Sequence, residues 1–165
     1  MSSIELRKCE QRDAEQLHVW RNDPDVRKWS FHTEKISFEE HMKWFQMAME
    51  RDDVEIFILE EEGVPVGQIR LTYWYDELVI GYSIDRNCRG RHLGQRIVEL
   101  MEEKLRFNEL LRKDGEYYVA YVQKENVVSR RVFEGLGYRE EEQRKWIKYV
   151  KKMEKVDSNG CKKGI

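Results

Sequence analysis

The 165-residue sequence has few cysteines, no long apolar run and almost no net charge, and each shortage removes a class of protein. Cys9, Cys88 and Cys161 are odd in number and far apart, with no Cys-x-x-Cys and no Cys/His ligand spacing. That argues against a disulfide framework and against structural zinc, so no metal site is expected. No stretch approaches the roughly 18 apolar residues of a spanning helix, and the start, MSSIELRKCEQRD, lacks the apolar core of a secretion signal. No membrane association and a cytoplasmic location are the expectation. Thirty basic side chains against thirty-two acidic ones leave a formal charge of −2. Wrapping a nucleic acid calls for a basic excess, so none is expected as a partner. Internal repeats and linkers are missing too.

What is present suits one domain with one core: 40% of residues are apolar and 38% charged. Alternation marks strands at Ile4–Cys9, Val54–Leu59, Val64–Tyr75, Leu78–Ile84, Tyr117–Val122 and Trp146–Val150. Helices are expected from an Asp13 cap to about Asn22, from the Ser37-x-x-Glu40 capping box to about Glu50, from Leu93, and from Val127 to Leu136. Strands followed by helix, strand, helix and strand make an α/β (α+β) domain over residues 1–153. Residues 154–165, ending VDSNGCKKGI, have nothing to bury and are expected to fray.

The stretch CRGRHLGQRIV joins a strand to a helix through two arginines and two glycines. Gly90 and Gly94 remove side-chain bulk where a ligand must approach the backbone. The helix that opens at Leu93 aims free N–H groups and a positive dipole end at the same turn. Arg89 and Arg91 add charge, so a phosphate or pyrophosphate is the natural occupant. A Walker A loop is excluded by the missing Gly-Lys-Ser/Thr ending, and a dinucleotide fingerprint by the missing third glycine.

Some thirty residues on stands KENVVSRRVFEGLGYRE, with Asn126, Ser129, Phe133 and Leu136-Gly137-Tyr138. Together with Arg89-Gly90-Arg91-His92-Leu93-Gly94 it resembles the GNAT family of acetyl-CoA-dependent N-acetyltransferases. The resemblance runs over roughly residues 4–153. The family's Arg/Gln-x-x-Gly-x-Gly/Ala motif is met at Arg89 and Gly94 and departs at His92, where a glycine is usual. The resemblance implies a mixed, mostly antiparallel, twisted sheet flanked by about four helices. The sheet would splay between the strand ending at Ile84 and the strand Tyr117–Val122, with acetyl-CoA as co-substrate wedged into the gap. The pantetheine arm would pair with the main chain of Ile84, Asp85 and Arg86. The pyrophosphate would sit on Arg91, His92, Leu93, Gly94 and Gln95, beside Arg89 and Gly90. Asn126 and Ser129 would flank the arm, although Asn126 also reads as a plain N-cap and Ser129 as a surface residue.

Acetyl transfer to an amine needs a base, a donor for the oxyanion and an acid for the thiolate. By family position the main chain near Ser83 to Asp85 is the oxyanion donor. Glu77 lies on one strand face with Val79, Gly81 and Ser83 and is the candidate base; a solvated edge glutamate is the alternative. The tyrosine often found four residues after the Ser129 position is Phe133 here, which leaves Tyr138 and Ser129 as candidate acids.

The segment VWRNDPDVRKWSFHTEKISFEEHMKWF carries Arg21, Asn22, Arg27, His41 and Trp44, the candidate substrate contacts. Its Arg-Asn and His-x-x-Trp-Phe features resemble the subgroup acetylating UDP-4-amino-4,6-dideoxy sugars in pseudaminic acid synthesis. Uracil stacks on an aromatic ring and a diphosphate suits arginine. Helical spacing of Trp44, Phe45 and Ala48 equally suits a core stripe. A ribosomal-protein N-terminal or polyamine acetyltransferase and a non-catalytic acyl-CoA-binding domain are the alternatives. The expected partner is a small amine, the expected state monomer or homodimer.

Overall fold

The alternating segments pair into one seven-stranded sheet of order β1-β2-β3-β4-β5-β7-β6. A computed structural model describes residues 2–156 and 160. The strands are β1 (Ile4–Lys8), β2 (Val54–Glu61), β3 (Val64–Trp74), β4 (Glu77–Ile84), β5 (Tyr117–Gln123), β6 (Arg139–Glu142) and β7 (Trp146–Lys152). Every neighbouring pair is antiparallel except β4 with β5, so the sheet is mixed, mostly antiparallel and of the expected class.

The helices are α1 (Ala14–Asn22), α2 (Pro24–Lys28), α3 (Phe38–Glu50), α4 (Leu93–Arg106), α5 (Glu109–Arg112) and α6 (Val127–Gly135). The four expected helices all form. Two single turns, α2 and α5, were too short to show a period. Strand β6 escaped too, because its sequence REEE offers no alternation; it forms by pairing with β7.

Period 2 sorts the strand side chains onto two faces. On one, Phe57, Ile69, Leu71, Leu78 and Ile80 meet Ile97, Val98, Met101 and Leu105 of α4 and Phe133 of α6 in the main core. On the other, Ile56 and Ile58 pack against Leu17 and Trp20 of α1 and Phe45 and Ala48 of α3. Phe45 and Ala48 are thus core, as helical spacing allowed.

Ser37 and Glu40 form the expected capping box on α3. Asp13 departs from expectation: its side chain does not cap α1. Its carboxylate instead binds the Arg7 guanidinium at 2.7 and 2.8 Å and accepts from the Glu10 N–H. That buried pair ties β1 to the start of α1. Fraying does not begin at residue 154: Glu154 pairs with Arg106, Lys155 with Glu116, and the Val156 N–H donates to the Arg106 carbonyl. The rest of the expected tail, Gly160 apart, lies outside the described residues.

Candidate functional site

The parallel ladder between β4 and β5 holds only three residue pairs: Glu77 with Tyr117, Leu78 with Tyr118, and Val79 with Val119. Beyond them β4 runs on to Ile84 and β5 to Gln123 with no pairing between them. The sheet is splayed there, and the β5-side main chain of Ile80–Ile84 lines a wedge. Antiparallel partners on the far sides, β3 and β7, hold both strands rigid while the gap stays open.

Helix α4 starts at the mouth of this wedge. Gly90 has φ of +76° and His92 φ of +59°, so the chain turns twice through the left-handed region before Leu93. His92 caps α4 by backbone alone, with no side-chain acceptor. The first-turn N–H groups therefore face the turn uncapped, which suits an anion. Gly94 has a second duty. A Cβ there would lie 3.2 Å from the Tyr82 ring and 3.5 Å from Val132, so the missing side chain lets α4 close on β4 and α6.

The two arginines of the turn face carboxylates rather than the wedge. Arg89 binds Asp23 at 3.2 Å, Asp25 at 3.0 Å and the Ile84 carbonyl at 3.1 Å, locking α2 to the end of β4. Arg91 is paired with Glu61. Asp85 and Ile84 are also engaged: Asp85 accepts from the Trp20 indole at 2.8 Å and from Asn87, and its own N–H donates to Val66. The oxyanion donor expected over Ser83 to Asp85 is thus not the Asp85 N–H. Arg86 is exposed, as are Arg91, His92 and Gln95.

On the α6 flank, Asn126 does cap the helix, accepting from the Ser129 N–H at 3.3 Å. Ser129 Oγ lies 3.1 Å from the Tyr82 hydroxyl. Burial raises the Tyr82 pKa, so it stands as a neutral phenol. Phe133 fills the core beneath, edge-on to Tyr82 at 6.1 Å. Tyr138 does not face the wedge's hydroxyl pair: its O–H donates to Glu102 at 2.7 Å in a buried cluster with Lys151. Burial, then Glu102, raises its pKa further. Tyr138 is therefore withdrawn as a candidate acid.

The opposite sheet face carries the other half of the site. Glu77 lies at the closed end of the wedge, 2.7 Å from Lys148 of β7. Phe31, in the loop after α2, packs 4.2 Å from Trp146 and 6.4 Å from Tyr121. Gln123 bonds the Lys28 carbonyl, holding that loop over the cleft. Asn22 pairs with both main-chain groups of Ile36, closing the α2–α3 loop. Arg27 donates to the Asn22 and Thr33 carbonyls. His41 is buried, its Nε2 2.8 Å from the Ala14 carbonyl, and burial lowers its pKa. Asn22, Arg27 and His41 thus each spend hydrogen bonds on main-chain carbonyls of the protein itself. Arg21 and Trp44 remain turned to that sheet face. Arg21 has one long bond to the His32 carbonyl, and Trp44 stacks under Arg70 of β3.

A wedge between parallel strands, faced by an uncapped helix N-terminus, agrees with the family model that matches residues 3–139, an acetyltransferase (GNAT) domain. The chain belongs to the GNAT acetyltransferase family. An uncharacterized protein of Methanocaldococcus jannaschii is 28% identical over 144 residues, which cover 84% of this chain and 28% of that protein. The chain thus spans little more than a quarter of that relative. A crystallised domain from the same organism superposes with a TM-score of 0.76 at 26% identity, over 92% of this chain and 99% of that one. A spermidine N-acetyltransferase from Vibrio cholerae, solved with CoA and spermine, shares the fold with a TM-score of 0.78 at 15% identity. That match covers 91% and 95% of the two chains.

The match makes residues 3–139 a GNAT acetyltransferase domain. Four features of its wedge were not read from sequence: Tyr82, Lys148, Arg70 and the Phe31–Tyr121–Trp146 group. Tyr82 had a signal, since it sits one residue after Gly81 on a strand already assigned. Lys148 and Arg70 had none, because strand lysines and arginines are ordinarily solvated. The aromatic group joins a loop to two strands far apart in sequence. Among the described residues no helix is long and apolar enough to cross a membrane.

Proposed function

We propose that the protein transfers the acetyl group of acetyl-CoA to a primary amine, in a ternary complex, without an acyl-enzyme. The observation that carries this is the three-pair ladder of β4 and β5 opening beside the uncapped N-terminus of α4. The residues present fit acetyl-CoA. The pyrophosphate matches the N–H groups of Leu93, Gly94 and Gln95, and the pantetheine amides match the unpaired edge of β4. Acetyl-CoA supplies the activated thioester.

The chain's own groups then do three things. On the acceptor face Glu77, paired with Lys148, takes a proton from the amine, directly or through water. A β4 main-chain N–H stabilises the carbonyl oxygen as the amide bond forms. As the C–S bond breaks, the leaving thiolate takes its proton from the Ser129–Tyr82 hydroxyl pair, which replaces the phenol that Phe133 cannot supply.

For the acceptor we infer the 4-amino group of a UDP-4-amino-4,6-dideoxy sugar. Phe31 and Trp146 offer rings on which uracil stacks, and Arg21 offers a charge for the diphosphate. A polyamine would need an acidic cleft, whereas the single carboxylate of β4 is already bound to Lys148. The test is thiol release from acetyl-CoA against UDP-4-amino sugars, ribosomal N-terminal peptides and spermidine. Fastest turnover of the UDP sugars supports the reading. Faster turnover of spermidine or peptide replaces the acceptor, and release with no amine acetylated replaces the reaction.

A further inference from the structure

Arg70 lies in the middle of β3, opposite Gly81 of β4, at the first pairs beyond the closed end of the wedge. A Cβ placed on Gly81 would be 4.0 Å from Arg70 Nη2. The guanidinium thus reaches across β4 toward the gap, over the one residue of that strand with no side chain to stop it. Register puts Arg70 on the face of Ile56 and Ile58, the face covered by α1 and α3 and away from α4. From α3, the Trp44 ring sits 5.6 Å from Arg70 as a cation–π partner. From α1, Arg21 comes close enough that its charge acts on Arg70.

Two like charges are held together here with nothing to offset them. Among the described residues neither Arg21 nor Arg70 has a carboxylate partner, although Arg7, Arg51, Arg89, Arg91 and Arg130 all find one. The carboxylate of β4, Glu77, is bound to Lys148. Arg70 is exposed to solvent on that face, and Arg21 is half-buried. Protein packed around the guanidinium, then the Arg21 charge, lowers the Arg70 pKa; burial, then Arg27, does the same to Arg21. In a chain with more acidic than basic residues, two neighbouring arginines on one face with no carboxylate partner make a site that gains from an anion.

We propose that Arg21 and Arg70, beside Trp44, form an oxyanion-binding site on the acceptor side of the wedge, and that the amine acetylated here carries a phosphate or carboxylate that fills it. The inference rests on the acetyl-transfer reading and narrows its acceptor: cationic amines are disfavoured by the same two charges that hold the anion. It does not need the uracil, so it stands for any phosphorylated or carboxylated amine that fits.

Two measurements test it. In the first, inorganic pyrophosphate is titrated calorimetrically into protein saturated with CoA, so that the α4 turn is already filled. Binding that weakens roughly 10- to 100-fold in Arg70→Gln, the loss of one hydrogen bond to a charged group, supports the site. No binding, or equal binding by the folded variant, overturns it. In the second, one amino sugar is assayed with and without a 1-phosphate. The wild type should favour the phosphorylated amine, and Arg70→Gln should collapse that preference through KM while the KM for acetyl-CoA holds. An unchanged preference overturns the site, and Arg70→Lys should restore part of the preference. If no amine is turned over at all, the acetyl-transfer reading falls and the pyrophosphate titration alone judges the site.

Discussion

The Tyr82 hydroxyl on β4 lies 3.1 Å from the Ser129 hydroxyl on α6, joining the strand and the helix that flank the wedge. Phe133, one turn further along α6, is buried and has no proton to give. If this pair protonates the leaving thiolate, Tyr82→Phe and Ser129→Ala should each lower kcat by about tenfold or more with little change in acetyl-CoA affinity. Single-turnover rates check this. Undiminished rates in both variants would assign the proton to water.

Tyr138→Phe should behave differently. Its hydroxyl serves Glu102 in a cluster with Lys151, so the loss should appear in stability, about 1–3 kcal/mol for a charged group left short of a donor. Denaturant unfolding measures it. A large fall in kcat with unchanged stability would return Tyr138 to the site.

Glu77 has a partner in Lys148 and a place on the acceptor face. Glu77→Gln should reduce kcat by roughly 10²- to 10⁴-fold, most at low pH, where the amine most needs help losing its proton. The pH–rate profile is the measurement. A loss of less than a few-fold across the range would move the base to a water chain.

Asp13 offers a stability prediction with a definite sign. Burial works to raise its pKa, but the hydrogen bond from Arg7, the Glu10 N–H and the Arg7 charge bring it below the usual value. A depressed folded pKa contributes stability above the unfolded pKa of about 3.9 and loses it as pH falls through the folded value. Asp13→Asn should therefore cost about 1–3 kcal/mol at pH 7. The gap to wild type should narrow steadily below about pH 4. A gap independent of pH would mean that packing, not charge, holds β1 to α1.

How much of this was legible in the sequence follows from how local each feature is. The Arg89–Gly94 turn, the Ser37–Glu40 box and the Asn126 cap are written within a few residues, and all three appear where the spacing put them. The destination of a long side chain is not local. Arg89 looked like a phosphate ligand, but two carboxylates at the start of the short helix α2, its N-cap Asp23 and Asp25, hold it, and that helix is invisible to periodicity. Arg70 carries no local signal, and only the strand register places it opposite Gly81 beside the wedge. Asn22 and His41 were read as substrate contacts because the Arg-Asn and His-x-x-Trp-Phe features resemble an amino-sugar acetyltransferase subgroup; their hydrogen bonds go to Ile36 and Ala14.

The aromatic pair Phe31 and Trp146 separates a nucleotide-linked acceptor from other anionic amines. Phe31→Ala or Trp146→Ala should raise KM for a UDP-amino sugar several-fold, since stacked aromatic pairs are worth about 0.5–1.5 kcal/mol beyond area. The same variants should leave KM for the corresponding sugar 1-phosphate within a factor of two or so. Equal effects on both acceptors would place the uracil elsewhere.

The central claim is that the N-terminus of α4 and the wedge beside it hold acetyl-CoA, and calorimetric titration of acetyl-CoA into Gly94→Glu tests it most directly. The variant sets a carboxylate at the uncapped turn, where the pyrophosphate belongs. Circular dichroism and denaturant unfolding must first show it folded, because a side chain there also meets Tyr82 and Val132. Wild type should bind, and the folded variant should lose affinity by at least about 100-fold, the combined effect of a lost anion seat and like-charge repulsion. Equal affinity in the two would contradict the account.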